Sequence, residues 1–396
     1  MNLPVGLGSW SVSIPPEKLV AVDRTSISGT PSASPRELVR AALEAPFGFE
    51  PMRRALTPDD RVAIVLDAEL PHAAELLAGT LDHLGTAGIA PSAVTVVAPP
   101  GARQDWVEAL RAEFSEVTTE THDPTDRNKL AYLATTNSER RVYLNRTVVE
   151  SDFTVVLTGR RYDPVRNYAG AQVALYPDLA DREIRAANFG PFTKAAPWEG
   201  REDAEEVAWL LGMPFLIQVI EGEGDAIQEV VAGLLPSSEE GVRRQDARWK
   251  FSIAERADAA IATISGDPAR ITFQDLAMAA ACAARCVNKR GRVALLTEAA
   301  PIMGQAADWI RRLDDPRIPL KLLMREKPAD WAAAKLWCAA ARHASLFLAS
   351  RLPDDLVEEM FATPIHSPSE VQRLVESAGS AIVIPDAHKS KVEVHA

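Results

Sequence analysis

Along most of the chain, short β-branched apolar runs alternate with Ala-, Leu- and Glu-rich stretches of helical spacing. RVAIVLD (61–67) predicts a buried strand, and HAAELLAGTLDHLGTA (72–87) the helix after it. AVTVVA (93–98) predicts a second strand, followed by a helix over 104–114, and FTVVLT (153–158) a third. The second half repeats the rhythm, with strands over 258–264, 292–297, 344–349 and 380–385 and helices over 273–288 and 369–378. Strands and helices in this order predict an α/β fold with mainly parallel sheets, helices on both faces and right-handed crossovers. The polar stretch LLPSSEEGVRRQDARW (234–249) reads as a hinge. It divides the chain into a first domain over 1–240 and a second over 241–385, with a cleft between them and a tail over 386–396. The first 50 residues, rich in Pro, Ser and Thr, read as an extended arm crossing the surface.

A length of 396 residues suits two such domains, each able to bury its own core. Lys and Arg total 43 against 55 Asp and Glu, a net charge of −12, and an acidic surface repels phosphate backbones. Nucleic acid is therefore not an expected partner. Cys282, Cys286 and Cys338 cannot build a disulfide framework and point to a reducing compartment. MNLPVGLGSW lacks the basic and apolar regions of a signal peptide. The most apolar run, ITFQDLAMAAACAARCV, is broken by Gln274, Asp275 and Arg285, so no membrane span is expected. A cytoplasmic protein is the expectation.

Chemistry is sought beyond the carboxyl ends of the strands, where open α/β sheets bind ligands. Those ends carry Asp67 and Glu69, then Arg103, then Arg160, Arg161, Asp163 and Arg166, and in the second domain Ser265-Gly266-Asp267 and Glu298. Charged residues after strands are commonly solvated loop residues, but four arginines after two neighbouring strands suit a carboxylate or phosphate, which the guanidinium fork grips with parallel hydrogen bonds. Ion pairing with Asp163, Asp181 and Glu183 is the bland alternative. No two of the seven histidines stand at metal-ligand spacing, and Cys282 and Cys286, one helical turn apart, read as small core residues. No phosphate-binding glycine loop and no G-x-S-x-G elbow occurs.

An ordered series of segments resembles the nickel-dependent lactate racemase (LarA-like) family. It runs from ALEAPFGFEPMRRALTPDDRVAIVLD through His122-Asp123-Pro124, Thr135-Thr136, Val142–Asp152 and Thr158-Gly159 to REDAEEVAWLLGMPFLIQVI and LFLASRLPDDLVEEMF. The resemblance implies two Rossmann-like domains around a cleft and a nickel pincer nucleotide attached to a lysine. It also implies racemisation or epimerisation of 2-hydroxy acids by reversible hydride removal.

The working parts of that chemistry are mostly missing. The family's Asp-x-Thr-Arg-Pro reads Asp67-Ala68-Glu69-Leu70-Pro71, with leucine for the substrate-side arginine. Its Gly-Thr-His-Arg reads Pro100-Gly101-Ala102-Arg103, with alanine for the catalytic histidine. Arg166 stands in the register of a further histidine, and the stretch carrying the cofactor lysine is deleted between Gly170 and Pro177. Asn-His reads Asn188-Phe189, and Gln-x-x-Lys reads Gln274-Asp275-Leu276-Ala277. No histidine lies between His83 and His122 or between His122 and His343, and no lysine between Lys129 and Lys194, so shifts of register restore nothing.

The expectation is a lactate-racemase-like protein with neither the nickel cofactor nor the family's activity. It would hold a small carboxylate or phosphate at Arg103, Arg160, Arg161 and Arg166, with Asp67 and Gln274 in the same site, and homo-oligomers stay open. Two rivals are a cofactor-independent enzyme using Asp67, Glu69 or Asp163 as base, and a structural or regulatory partner of an active relative.

Overall fold

The computed structural model describes residues 1–24, 33–67, 69–163, 167–170, 172–187, 201–313, 315–317, 319–326 and 328–395. The chain divides into two compact units. The first comprises Ser28–Gly222 and Ala226–Gln245, the second Met1–Ile27, Glu223–Asp225 and Asp246–Ala396.

Six strands build the sheet of the first unit: β1 (Val62–Leu66), β2 (Val94–Ala98), β3 (Thr118–Thr121), β4 (Phe153–Gly159), β5 (Phe215–Glu221) and β6 (Ile227–Gly233). Their order is β6-β5-β4-β1-β2-β3, parallel throughout except for the β5–β6 hairpin. All of β1 is buried, which is why it reads as an unbroken apolar run rather than an alternating one. Helices α1 (Pro35–Glu44) and α2 (Ala73–Thr86) pack on one face, with Leu43 and Leu77 in one core with Ile64 and Val96 of the sheet. Val65, Val97, Val156 and Leu216 build the core of the other face. Helix α3 (Asp105–Glu113) follows β2. The chain winds outward from β1 through β2 to β3, then returns to place β4 on the other side of β1. The carboxyl ends of β1 and β4 therefore flank the point where the winding reverses, the usual position of a ligand crevice.

The stretch 234–249, expected as a polar hinge, contains the division between the units after Gln245, but it is not a loop: Ser237–Trp249 is a helix, α4. Its polarity conceals it, because charge pairs rather than an apolar stripe support its exposed side. Glu240 accepts from Arg243 and Arg244, and the two guanidinium groups hold its carboxyl down at about 2.

In the second unit, strands β7 (Ala257–Thr263), β8 (Val287–Leu296), β9 (Ser345–Ala349), β10 (Ala362–Pro364) and β11 (Ala381–Ile384) form an all-parallel sheet ordered β10-β9-β8-β7-β11. Helices α5 (Phe273–Cys286), α6 (Trp331–His343) and α7 (Pro368–Glu376) accompany it, and the three cysteines are buried free thiols.

Two more expectations give way here. The chain start is a hairpin of Asn2–Val5 and Gly8–Ser11 rather than an extended arm. Leu3 and Val5 sit in the core with Ile261 and Leu296, which is what holds it there. Residues 386–395 are no tail. Lys391–Val394 pairs with Lys250–Ile253, and His388 and Lys389 are buried. Among the described residues, no helix is long and apolar enough to cross a membrane.

Candidate functional site

At the reversal point of the first sheet, Asp67 follows β1 directly. Its Oδ2 accepts from the Gly159 N–H at 3.0 Å and its Oδ1 from the Glu69 N–H at 3.0 Å. These bonds tie the exits of β1 and β4 together. Arg161 then spans these strand ends. Its Nη1 lies 3.1 Å from Asp67 Oδ2, its Nε 3.0 Å from Glu221 Oε1 at the end of β5, and its Nη2 donates to the Glu69 carbonyl at 2.8 Å. The Arg161 side chain keeps 25% exposure between its two carboxylates.

Arg160 takes a different course. It is 3% exposed, its Nε donates to Gln218 Oε1 at 2.8 Å, and its Nη2 donates to the carbonyl and hydroxyl of Ser238 on α4. Burial pulls its pKa down to about 10, which still leaves a full charge at neutral pH. Gly241 gives α4 room to approach: a Cβ there would stand 2.3 Å from Gln218 Oε1 and 3.1 Å from Arg160 Nε. Arg103, in the loop after β2, donates to Asp105 Oδ2 at 2.6 Å and keeps 32% side-chain exposure.

The structure thus joins Asp67 to Arg161, commits Arg160 to Gln218 and α4, and pairs Arg103 with Asp105 at the start of α3. Arg166 lies outside the described residues, as do Asn188 and Phe189. Gln274 is half-buried on α5, in the second unit. The acids expected to pair with the arginines serve otherwise in part: Asp181 accepts from the Glu183 and Ile184 N–H groups and caps a short helix. Sequence reasoning missed Gln218 and Glu221, the acceptors that orient Arg160 and Arg161. Their signal is two polar residues inside the otherwise apolar strand FLIQVIE.

The positions where the resemblance implies an arginine and a histidine are apolar in packing as well as in type. Leu70 is 5% exposed within the core of the first unit, and Ala102 packs against that core. Beyond Gly170, residues Gln172–Leu175 form a short helix with Val173 and Leu175 buried, leaving no lysine there. The two described histidines at this edge are differently occupied. His72 stands at the N-cap position of α2 without a side-chain cap bond, its Nδ1 3.2 Å from Glu75 Oε1. His122 is 2% exposed and its Nε2 donates to the Ala180 carbonyl at 3.0 Å.

The second sheet has its own reversal point, between β7 and β11. Asp386, fully buried, accepts there from the N–H and hydroxyl of Ser265 at 2.8 and 2.7 Å and from the Gly224 N–H at 2.9 Å. Burial alone would raise its pKa; Lys389, His388 and these donors outweigh that, and the carboxyl stays below its ordinary value. The Ser265 hydroxyl donates to a fully buried carboxylate that also accepts two backbone N–H groups, the arrangement of a structural clasp.

Residues 5–195 match the family model of the lactate racemase N-terminal domain. These residues belong to the lactate racemase N-terminal domain family. A search of curated proteins returns no match. Among solved structures, the lactate racemase apoprotein of Thermoanaerobacterium thermosaccharolyticum is similar over 99% of both chains, with a TM-score of 0.80 and 18% identity. A protein of Thermotoga maritima is similar over 93% of this chain and all of its own, with a TM-score of 0.65 and 12% identity. At these identities the structural likeness establishes the shared α/β fold.

Proposed function

We propose that this lactate racemase-like chain works without the nickel pincer nucleotide and without racemase activity, and holds a small carboxylate or phosphate. The observation that carries the reading is the burial of Leu70 and the packing of Ala102 against the core, where the family pattern has an arginine and a histidine. A methyl and an isobutyl group can neither take a proton from a hydroxyl nor orient a carboxylate. The donor set argues against nickel in the same way. Soft metal sites need thiolate, imidazole or a comparable anchor. The first unit has no cysteine, its buried His122 donates to a backbone carbonyl, and Lys129 is exposed on a turn.

Anion binding falls to Arg103 and Arg161, the partly exposed guanidinium groups, with Arg160 as buried support. Arg103 and Arg161 each already hold a carboxylate, so an incoming anion exchanges with Asp105 or Asp67 rather than meeting a bare charge. Affinity is therefore modest and salt-sensitive. Calorimetric titration with small carboxylates and phosphates at low salt tests this. Loss of a charge-assisted hydrogen bond, worth about 1.5–3 kcal/mol, makes Arg103→Ala or Arg161→Ala bind about tenfold or more weakly. No heat with any anion, or unchanged affinity in both variants, refutes it. A cytoplasmic location accords with the three free thiols.

A further inference from the structure

A cavity of about 380 Å³ opens on the first unit between α1, the last turn of α2 and the turn Met52–Ala55. Because α2 runs back antiparallel to β1, this cavity lies toward the amino edge of the sheet, opposite the edge that carries Asp67 and Arg161. Its lining includes His83, Arg40, Glu44, Arg53 and Glu37.

His83 is 4% exposed, and its Nε2 accepts the Arg53 backbone N–H at 3.2 Å. A ring nitrogen that accepts carries no proton, so the neutral imidazole holds its proton on Nδ1. Burial keeps the pKa of the ring below its ordinary value, against the pull of Glu44. Nδ1 stands 4.0 Å from Glu44 Oε2, outside hydrogen-bond reach, and both Glu44 oxygens are already held by Arg53 at 3.0 and 2.7 Å. Arg40 is 55% exposed, and among the described residues its carboxylate partner is Asp82, only at 3.9 Å. The other acid of the lining, Glu37, is engaged by the Ser34 N–H and hydroxyl at the start of α1. Among the described residues, two donors thus line the cavity with no acceptor in hydrogen-bond reach, while its carboxylates are spoken for.

We propose that this cavity is a second ligand site, distinct from the carboxyl edge, which receives a carboxylate or phosphate oxygen from the Nδ1–H of His83 and the guanidinium of Arg40. A metal ion does not suit it, because the nitrogen facing the cavity carries a proton instead of a lone pair. The volume accommodates a small metabolite-sized body beside the anionic group.

The full-length protein labelled with ¹⁵N-histidine, titrated at low salt with inorganic phosphate and separately with acetate, tests the site. The His83 Nδ1–H resonance shifts and saturates with at least one of them, and the anion that acts identifies the ligand class. Arg40→Gln, a change at an exposed position, weakens that response about tenfold or more, whereas Arg103→Ala leaves it intact. Absence of a saturable response to both anions overturns the proposal. So does an unchanged response in Arg40→Gln, or its loss in Arg103→Ala.

Discussion

Two buried histidines show how single residues set the molecule's response to acid. His122 donates through Nε2, and its Nδ1 is buried with no hydrogen-bond partner among the described residues, so a second proton would bring an unsolvated charge. Burial accordingly lowers its pKa, and that of His83, below the ordinary value. The unfolded chain then binds more protons than the folded one, and stability rises with pH. The stabilisation is complete above about pH 6.5, the unfolded value, and is lost as pH falls below it toward the folded values. Urea denaturation at neutral pH and at about one unit below that value checks this. His122→Gln, which keeps an amide donor for Ala180, loses less stability on acidification than wild type. Equal losses in both proteins would assign the acid sensitivity elsewhere. The residue scale also separates the arginines: sequence position groups Arg160 with Arg161, yet Gln218 draws one into the interior while Asp67 and Glu221 hold the other at the crevice.

At the scale of elements, α4 carries the least expected structure. Pro236, the serines and the glycine that suggest a linker have other uses: Ser237 and Ser238 accept from Gln218 and Arg160, and Gly241 lets the helix seat on both. Gly241→Ala therefore destabilises the protein by about 1–3 kcal/mol through overpacking, despite the better helix propensity of alanine. Chemical denaturation measures it; a stabilised variant would mean that α4 does not rest on the Arg160–Gln218 pair. At the start of α5, Thr272 and Asp275 form a capping box, with Asp275 accepting from the Thr272 N–H at 2.8 Å. Thr272→Ala lowers stability by about 1 kcal/mol, again read by denaturation. The strands and helices around β1, β2, β4, β7 and β8 were legible because buried parallel strands write unbroken apolar runs. The starting hairpin, α4 and the Lys391–Val394 strand were not. Each is short or polar and is held by partners far away in sequence, such as Ile261 for Leu3 and Phe251 for Val392. In the candidate site the residues after each strand were legible, but their acceptors on β5 and α4 depend on sheet order, which local patterning does not encode.

The whole molecule shares its α/β fold with a lactate racemase apoprotein, and in the proposed function packing groups such as Leu70 and Ala102 stand where racemase chemistry would need polar ones. Hydride removal from a 2-hydroxy acid needs an acceptor, bases on the substrate and an orienting cation, and general acid–base help alone is worth about 10²–10⁴-fold per group. Losses in a set that acts together do not simply multiply, but each one is severe. The purified chain accordingly leaves D- and L-lactate unexchanged, as chiral chromatography of the incubated acid would show, and robust interconversion would refute the reading.

The most direct test is the intact mass of the protein, produced beside cofactor-assembling enzymes, together with its nickel content. The account predicts the unmodified chain at 42.9 kDa with no bound nickel. A mass excess matching a nucleotide adduct, accompanied by near-stoichiometric nickel, would contradict it.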